Sequence, residues 1–462
     1  MIEAKIVKLS REDWPDEFVQ ACSALGFCVV NDHVVQELKA RLSSRVEHML
    51  IEYPYRDIDY SSTYSIFHTK KHRRVSRESL RVHFFGKKIK ESDYYGFMTL
   101  RPSLVEQRGR SHISPSALQH ESPLYIVTTN DTAHLYGHKL NVESFPWMAQ
   151  ETDISVCAHV AIWSVINYYA CKYSRYRRFT IAELAQSVSG FFGRTVPSEG
   201  LNLLQISELL SSSGFFPLLL KKNLKSPYPF FQAAYAYIES GIPVIGVMTQ
   251  KEHAVVIIGH GPLRDVPCCS EGGMFHWSID YIDDLIISND HALPFTKISR
   301  KRDGQDYSFE DLDFIVIPLY EKMYLNANVV IERIKSLSRS GVLDIPQNAV
   351  CRPYLTSARS LKRYIYADNS MNQDLKEVIL KLPTPQFVWC ADFVMPADQF
   401  SNTYSKVIID STAGTYEEEP WLLMHDEKNI IYYDRDADAW YKLPANIEPY
   451  VTYRNNLKEY SS

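Results

Sequence analysis

Residues 147–172 read Trp-Met-Ala-Gln-Glu-Thr-Asp-Ile-Ser-Val-Cys-Ala-His-Val-Ala-Ile-Trp-Ser-Val-Ile-Asn-Tyr-Tyr-Ala-Cys-Lys, and the rest of the chain is read outward from them. From Ala158 to Ala170 apolar residues fall on nearly every side, among them Val160, Ile162, Trp163, Val165, Ile166, Tyr168 and Tyr169. No proline or glycine interrupts the run, so it predicts a helix buried over most of its circumference. Asp153 and Ser155 stand just ahead as N-cap candidates. Cys157 then falls in the first turn, where unpaired amides and the helix dipole favour a thiolate over a thiol. A cysteine at that position is either a small core residue or a nucleophile. Residues distant in sequence have to decide.

Downstream, Thr180 with Glu183 forms a capping-box pattern for a helix over 180–189. A glycine-containing turn over Gly193–Gly200 precedes a helix over Leu201–Ser212 that Gly214 ends. A strand is expected at Phe216–Leu220, and a helix at Pro229–Ser240 stopped by Gly241. Two apolar strands follow, Ile242–Met248 and His253–Gly259, the second headed by its histidine. After a loop with Cys268, Cys269, Gly272 and Gly273, short strands are expected at Leu285–Asp290 and Phe314–Pro318.

Thiol-dependent acyl transfer needs a thiolate, an imidazole to take and return its proton, a polar group to orient that imidazole, and donors for the oxyanion. Cys157 opens a buried helix, and His253 heads a strand that can pack against it. Asp290, beside Asn289, closes a later strand and can accept from the imidazole; Asn289 and Asp284 remain alternatives. Gln150, seven positions before Cys157, can aim its amide at the oxyanion that the Cys157 backbone amide also reaches.

The order Gln, Cys at a helix start, His at a strand start, then Asp or Asn at a later strand end resembles the papain-like cysteine peptidases. More narrowly, it resembles the branch that trims leader peptides in bacterial peptide exporters. Matching stretches are Gln150–Tyr169, Gly200–Gly214, Ile238–Gly261 and Ile286–Pro294, within about residues 145–320. The resemblance implies a helix packed on an antiparallel sheet, with Cys157 as nucleophile, His253 as general acid and base, Asp290 as orienter and Gln150 as oxyanion donor. The family's usual Cys-Gly is replaced here by Cys157-Ala158-His159, and an insertion at Pro262–Trp277 lengthens the interval from His to Asp.

The remaining chain reads as flanking units. Residues 1–140 are expected to be an α+β domain: a helix from Trp14-Pro15, a short strand at Phe27–Val30, helical periodicity over Val35–Glu52, and β-like runs at Gly96–Arg101 and Leu124–Thr129. Turns are expected at Arg108-Gly109-Arg110 and Asn130-Asp131. Within residues 70–90, Lys70, Lys71, Arg73, Arg74, Arg77, Arg81, Lys87, Lys88 and Lys90 face one acid, Glu78. With His72, His83, Phe84 and Phe85 between them, they form either a possible anionic-partner patch or a solvated face. Residues 321–462 are expected to be a second flanking α+β unit, with a helix at Val329–Ser338 and strands at Phe387–Val394, Lys406–Ile409, Trp421–Met424 and Ile430–Tyr433.

Composition narrows the function classes. A net charge of −5 gives no global reason to bind nucleic acid, and 30 tyrosines fit half-buried surfaces without naming a ligand. No apolar run approaches the roughly 20 residues of a membrane span, and the start shows no secretory signal. The eight scattered cysteines then read as reduced thiols in the cytoplasm. Cys268, Cys269, His260 and His276 lack the CxxC spacing of a zinc site, so no metal or other cofactor is expected. The expectation is a multidomain α+β protein whose papain-like domain at 141–320 hydrolyses peptide or isopeptide bonds in a peptide or protein substrate. Acyl transfer to an amine, or a catalytically inactive scaffold that binds a protein or nucleic acid, are the alternatives.

Overall fold

A computed structural model describes residues 3–27, 29–102, 106–151, 155–188, 200–268, 275–301, 304 and 306–461. The first part of the chain contributes Glu3–Lys8 (β1), Trp14–Ala24 (α1), Asp32–Arg41 (α2), His48–Tyr55 (β2), Ile58–Ile66 (α3), Ser79–Phe85 (β3), Tyr94–Leu100 (β4) and Arg108–Ile113 (β5). Leu124–Ile126 (β6), Thr129–Leu135 (β7) and His138–Ser144 (β8) follow. The middle holds Cys157–Lys172 (α4), Ile181–Gln186 (α5), Leu203–Ser212 (α6), Phe216–Lys221 (β9), Tyr228–Glu239 (α7), Val244–Met248 (β10) and His253–His260 (β11). It continues through His276–Trp277 (β12), Asp284–Ser288 (β13), Thr296–Ser299 (β14) and Phe314–Leu319 (β15). The last part comprises Ala327–Ser340 (α8), Val350–Ser357 (β16), Ala358–Ala367 (α9), Gln373–Lys381 (α10), Phe387–Val394 (β17), Asn402–Asp410 (β18) and Trp421–His425 (β19). Asn429–Asp434 (β20), Ala439–Pro444 (β21), Tyr450–Val451 (β22) and Lys458–Tyr460 (β23) complete it.

The chain is α+β, with sheets that are almost wholly antiparallel. β1 to β5 form one sheet in chain order, and β7 and β8 form a separate hairpin. The central sheet runs β14-β13-β11-β10-β15-β9, and β6 pairs with β11 and carries β23 from residues 458–460. The third sheet runs β12-β16-β17-β18-β19-β20-β21, with β22 on β18. Pairing therefore crosses both expected boundaries, at 140 and at 320. Two large cores cross them as well, one from Val7 to Val316 and the other from Phe230 to Met424. Among the described residues no helix is long and apolar enough to cross a membrane.

Helix α4 is buried from Ala158 to Tyr169, as its all-round apolar pattern requires, and packs on β11. Strand β11 is buried along its whole length because β10 and β13 flank it and helices cover it. At its far end β6 crosses so closely that a Cβ on Gly259 would lie 2.0 Å from the Tyr125 carbonyl oxygen. Only glycine fits there. The capping box of Thr180 and Glu183 forms, with the Thr180 amide donating to Glu183 Oε2 at 2.7 Å.

Several expectations are corrected. Helicity expected over Val35–Glu52 stops at Arg41, and β2 begins at His48. In β2, Met49 and Ile51 enter one core and Leu50 another, so both faces are apolar and the period of two is hidden. No strand forms at Phe27–Val30 among the described residues. Instead, the Gln107 side chain accepts from the Asn31 amide at 2.8 Å and donates to the Val29 carbonyl at 2.9 Å. The turns expected at Arg108-Gly109-Arg110 and Asn130-Asp131 lie inside β5 and β7. Their charges are paired: Arg110 with Asp57 at 2.9 Å, and Asp131 with Arg178 at 2.5 Å. The hairpin turns instead at Tyr136 and Gly137, both at positive φ. The basic stretch of residues 70–90 is split by buried β3, within which Arg81 and His83 both meet Glu52. Lys70 to Arg77 precede that strand and Lys87 to Lys90 follow it. The expected turn over Gly193–Gly200 lies, apart from Gly200, outside the described residues, as do Asp153, Cys269, Gly272 and Gly273.

A buried ion pair joins the central and C-terminal sheets. Arg352 of β16 donates to Glu239 Oε1 at 2.7 Å and to the Tyr453 carbonyl at 2.7 Å. Glu239 Oε2 also meets His260 at 3.0 Å and Tyr235 at 2.8 Å. Burial alone would raise the Glu239 carboxyl, but Arg352 and His260 hold it well below the ordinary range. Replacing Arg352 with alanine deprives that buried charge of its guanidinium partner, and a loss of about 3–5 kcal/mol in urea unfolding is expected. A loss of less than about 1 kcal/mol would show that the pair does not hold the sheets together.

Candidate functional site

Cys157 begins α4, preceded by Val156 in an extended conformation at the N-cap. Ser155 does not cap the helix; its hydroxyl accepts from the Glu151 amide at 3.1 Å and so braces the loop before it. His159, third in the helix, places Nδ1 3.5 Å from the Val156 amide. Burial depresses this imidazole to about 4, so it is neutral and can accept there at neutral pH. The unexpected His159 therefore helps to close the helix start.

The sulfur of Cys157 is half-buried against the head of β11. It lies 3.9 Å from the Glu252 carbonyl, and the Ala254 amide points at it from the other side of His253. Sulfur and imidazole thus share one seam between helix and strand. Among the described residues no hydrogen bond joins them.

His253 is held at Nε2. Nε2 donates to the Asn289 side-chain oxygen at 3.0 Å, while the nearest Asp290 oxygen stands at 3.7 Å. The orienting contact expected of Asp290 is therefore made by Asn289, the alternative beside it. The reason is local. β13 ends at Ser288, Asn289 continues its direction, and Asp290 has entered the turn beyond. Asp284, the other alternative, bonds Ser299 at 2.5 Å instead.

Two residues that sequence patterns leave unmarked complete the cluster. The His253 ring stacks on His291 at 4.6 Å between centroids and on Tyr307 at 5.0 Å. The Gln150 amide lies 3.4 Å from His291 Nε2, which brings it to the edge of the same cluster. Cys157, His253, Asn289, Asp290 and Gln150 are thus gathered from three separate stretches. Tyr307 gave no signal in sequence, because a lone tyrosine in a polar loop has no spacing to read. His291 stood beside Asp290 but reads as an ordinary loop residue.

Burial sets the electrostatics. It pushes the Cys157 thiol up to about 11, helped by the nearby Asp290 and opposed by the amides of Ala254 and Ala158 and its own. It pushes His253 down to about 4, helped by His291 and opposed by the bond to Asn289. The resting pair is a thiol and a neutral imidazole, whereas the position at a helix start led to the expectation of a thiolate. Desolvation outweighs the helix terminus here. Asp290 is raised by burial to about 6, against the pull of His291 and Arg108. Its two carboxyl oxygens have no hydrogen-bond partner among the described residues.

His253, Asp290 and His291 bring ligand atoms within 4.8 Å of one another, close enough to consider a metal ion. The geometry is poor for one. Stacked imidazole rings, only 20° from parallel, send their in-plane lone pairs side by side rather than to a common point. His253 Nε2 is also committed to Asn289. A groove of about 600 Å³ lies on the C-terminal sheet, lined by Val378, Leu382, Ile430, Tyr432 and Leu443, and none of the clustered residues lines it.

Comparison with protein-family models and with curated proteins finds no match.

A ring titration tests the site directly. By NMR, His253 is expected to titrate near 4 rather than near its ordinary 6.5. Asn289→Ala should lower it further, because the bond to Asn289 favours the charged ring. With a depressed value in the fold, stability should fall as pH drops from about 6.5 towards 4. A midpoint near 6.5 would mean that the ring is solvated.

Proposed function

We propose that the chain is a thiol-dependent acyl-transfer enzyme that hydrolyses peptide or isopeptide bonds through Cys157 and His253. The observation that carries this reading is the seating of the Cys157 sulfur between the Glu252 carbonyl and the Ala254 amide, on either side of a histidine whose Nε2 is tied to Asn289. An imidazole held at Nε2 keeps Nδ1 available on its other side, and Nδ1 has no partner among the described residues.

The chemistry follows from those positions. As the sulfur attacks a carbonyl carbon, its proton passes to His253 Nδ1, and the carbonyl electron pair moves onto oxygen. Amides at the start of α4 and the side-chain amide of Gln150 are the donors for that oxyanion. Collapse of the tetrahedral adduct breaks the C–N bond, and the imidazolium returns its proton to the leaving amine. Water then repeats the steps in reverse and frees the acid. Because the resting pair is neutral, proton transfer accompanies attack rather than preceding it. Asp290, 3.7 Å from Nε2, faces the positive charge that develops on the ring.

The raised thiol and the lack of a hydrogen bond to His253 favour one competing reading, a papain-like scaffold that binds without catalysis. Alkylation and turnover separate the two. With iodoacetamide, Cys157 is expected to react slowly at pH 7, its rate rising about tenfold per pH unit towards 11. Wild-type protein incubated with a peptide library should release new N-termini, and His253→Ala should slow that release by about 10²-fold. Release unchanged in Cys157→Ala would rule out the thiol mechanism. No release by the wild type would leave the scaffold.

A further inference from the structure

The loop that carries Asn289 to Phe295 is gripped by residues from far outside the central segment. Trp147 Nε1 donates to the Asn289 carbonyl at 2.6 Å. Arg108 of β5, itself 2% exposed, donates to the His291 carbonyl at 3.2 Å. Glu37 of α2 accepts from the Leu293 amide at 2.6 Å with one oxygen and pairs with Arg108 through the other. Arg41, one turn further along α2, donates to the Pro294 carbonyl at 2.9 Å and to the Leu293 carbonyl at 3.5 Å. Successive backbone groups of one short loop are thus satisfied by side chains that the fold brings from residues 37–147.

The same loop carries strain. Phe295 is buried with φ at +65°, a conformation that a bulky side chain rarely adopts. Such a residue persists only where its surroundings over-determine it. The bonds from Glu37 and Arg41 fall on the two residues immediately before it. Released from them, the loop would relax at Phe295, and Asn289 sits six residues upstream in the same loop.

We infer that Glu37, Arg41 and Arg108 are positioning residues that set the His253–Asn289 hydrogen bond through the 289–295 loop. The first part of the chain is then a component of the site and not an appendage to it. As a statement about acyl transfer this rests on the proposed function; as a statement about the imidazole it does not. Asn289 Oδ1 accepts from both His253 Nε2 and the His291 amide, the latter at 3.2 Å. A shift of the loop backbone therefore moves the acceptor that selects the Nε2–H tautomer.

The test compares Glu37→Ala, Glu37→Gln and Arg41→Ala with wild type in the full chain. Nitrogen-15 NMR reads the His253 tautomer, hydrogen exchange reads the Leu293 amide, and iodoacetamide reads Cys157. Wild type should show the Nε2–H tautomer alone. Glu37→Ala and Arg41→Ala should show a tautomer mixture, exchange at Leu293 faster by about tenfold, and alkylation of Cys157 slower by about tenfold, with cooperative unfolding retained. Glu37→Gln keeps an acceptor for the Leu293 amide and should recover most of the protection and the tautomer. A wild-type tautomer in both alanine variants would overturn the inference. If one variant fails to fold, the other decides. Should the wild type release no new N-termini while the tautomer shifts as expected, acyl transfer would fail and the positioning role would stand.

Discussion

The packing of α4 across β11 is the contact on which the candidate chemistry depends. A helix apolar on all sides has to be covered on all sides, and the buried strand β11 covers the face that begins with Cys157. That burial brings a sulfur against the backbone at the head of a strand, with no hydrogen bond to the imidazole among the described residues. Everything polar in the cluster is arranged around the seam: Asn289 behind the imidazole, His291 and Tyr307 stacked against it, and Gln150 at the edge. The core is the cause, and the constellation of functional groups is its consequence.

The same burial sets the protonation state. Desolvation disfavours both a thiolate and an imidazolium, so the two groups rest neutral, with the thiol near 11 and the imidazole near 4. Asp290 adds to this, because a carboxylate near the sulfur opposes a second negative charge there. Once a proton has moved to the ring, the effect reverses and Asp290 favours the imidazolium. In the proposed reaction, such burial suppresses idle thiol reactivity and leaves charge separation to the moment when a carbonyl is at hand to take the electrons.

Much of the frame was legible because its signals are local. The all-round apolar run of α4, the capping box at Thr180 and Glu183, the glycines that end α6 and α7, and the apolar strands β10 and β11 each follow from a few adjacent residues. Cys157, His253 and the Asn289-Asp290 pair were legible as a set because their order along the chain carries information. What could not be read depends on pairing across long separations. β2 is apolar on both faces because two cores meet there, and Arg108 and Asp131 lie in strands because their charges find partners across the fold, Glu37 and Arg178. The choice of Asn289 over Asp290 turns on the residue at which β13 ends, and residue types alone do not set that. The grip of Glu37 and Arg41 on the 289–295 loop spans more than 250 residues of sequence.

Acyl-enzyme trapping with p-nitrophenyl acetate and peptide mass mapping shows whether His253 activates the Cys157 sulfur across the seam of α4 and β11, as proposed. A burst of p-nitrophenolate is expected, with acetyl confined to Cys157, slowed by about 10²-fold in His253→Ala. Acetylation spread over many side chains, or at the same rate on Cys157 without the imidazole, would contradict it.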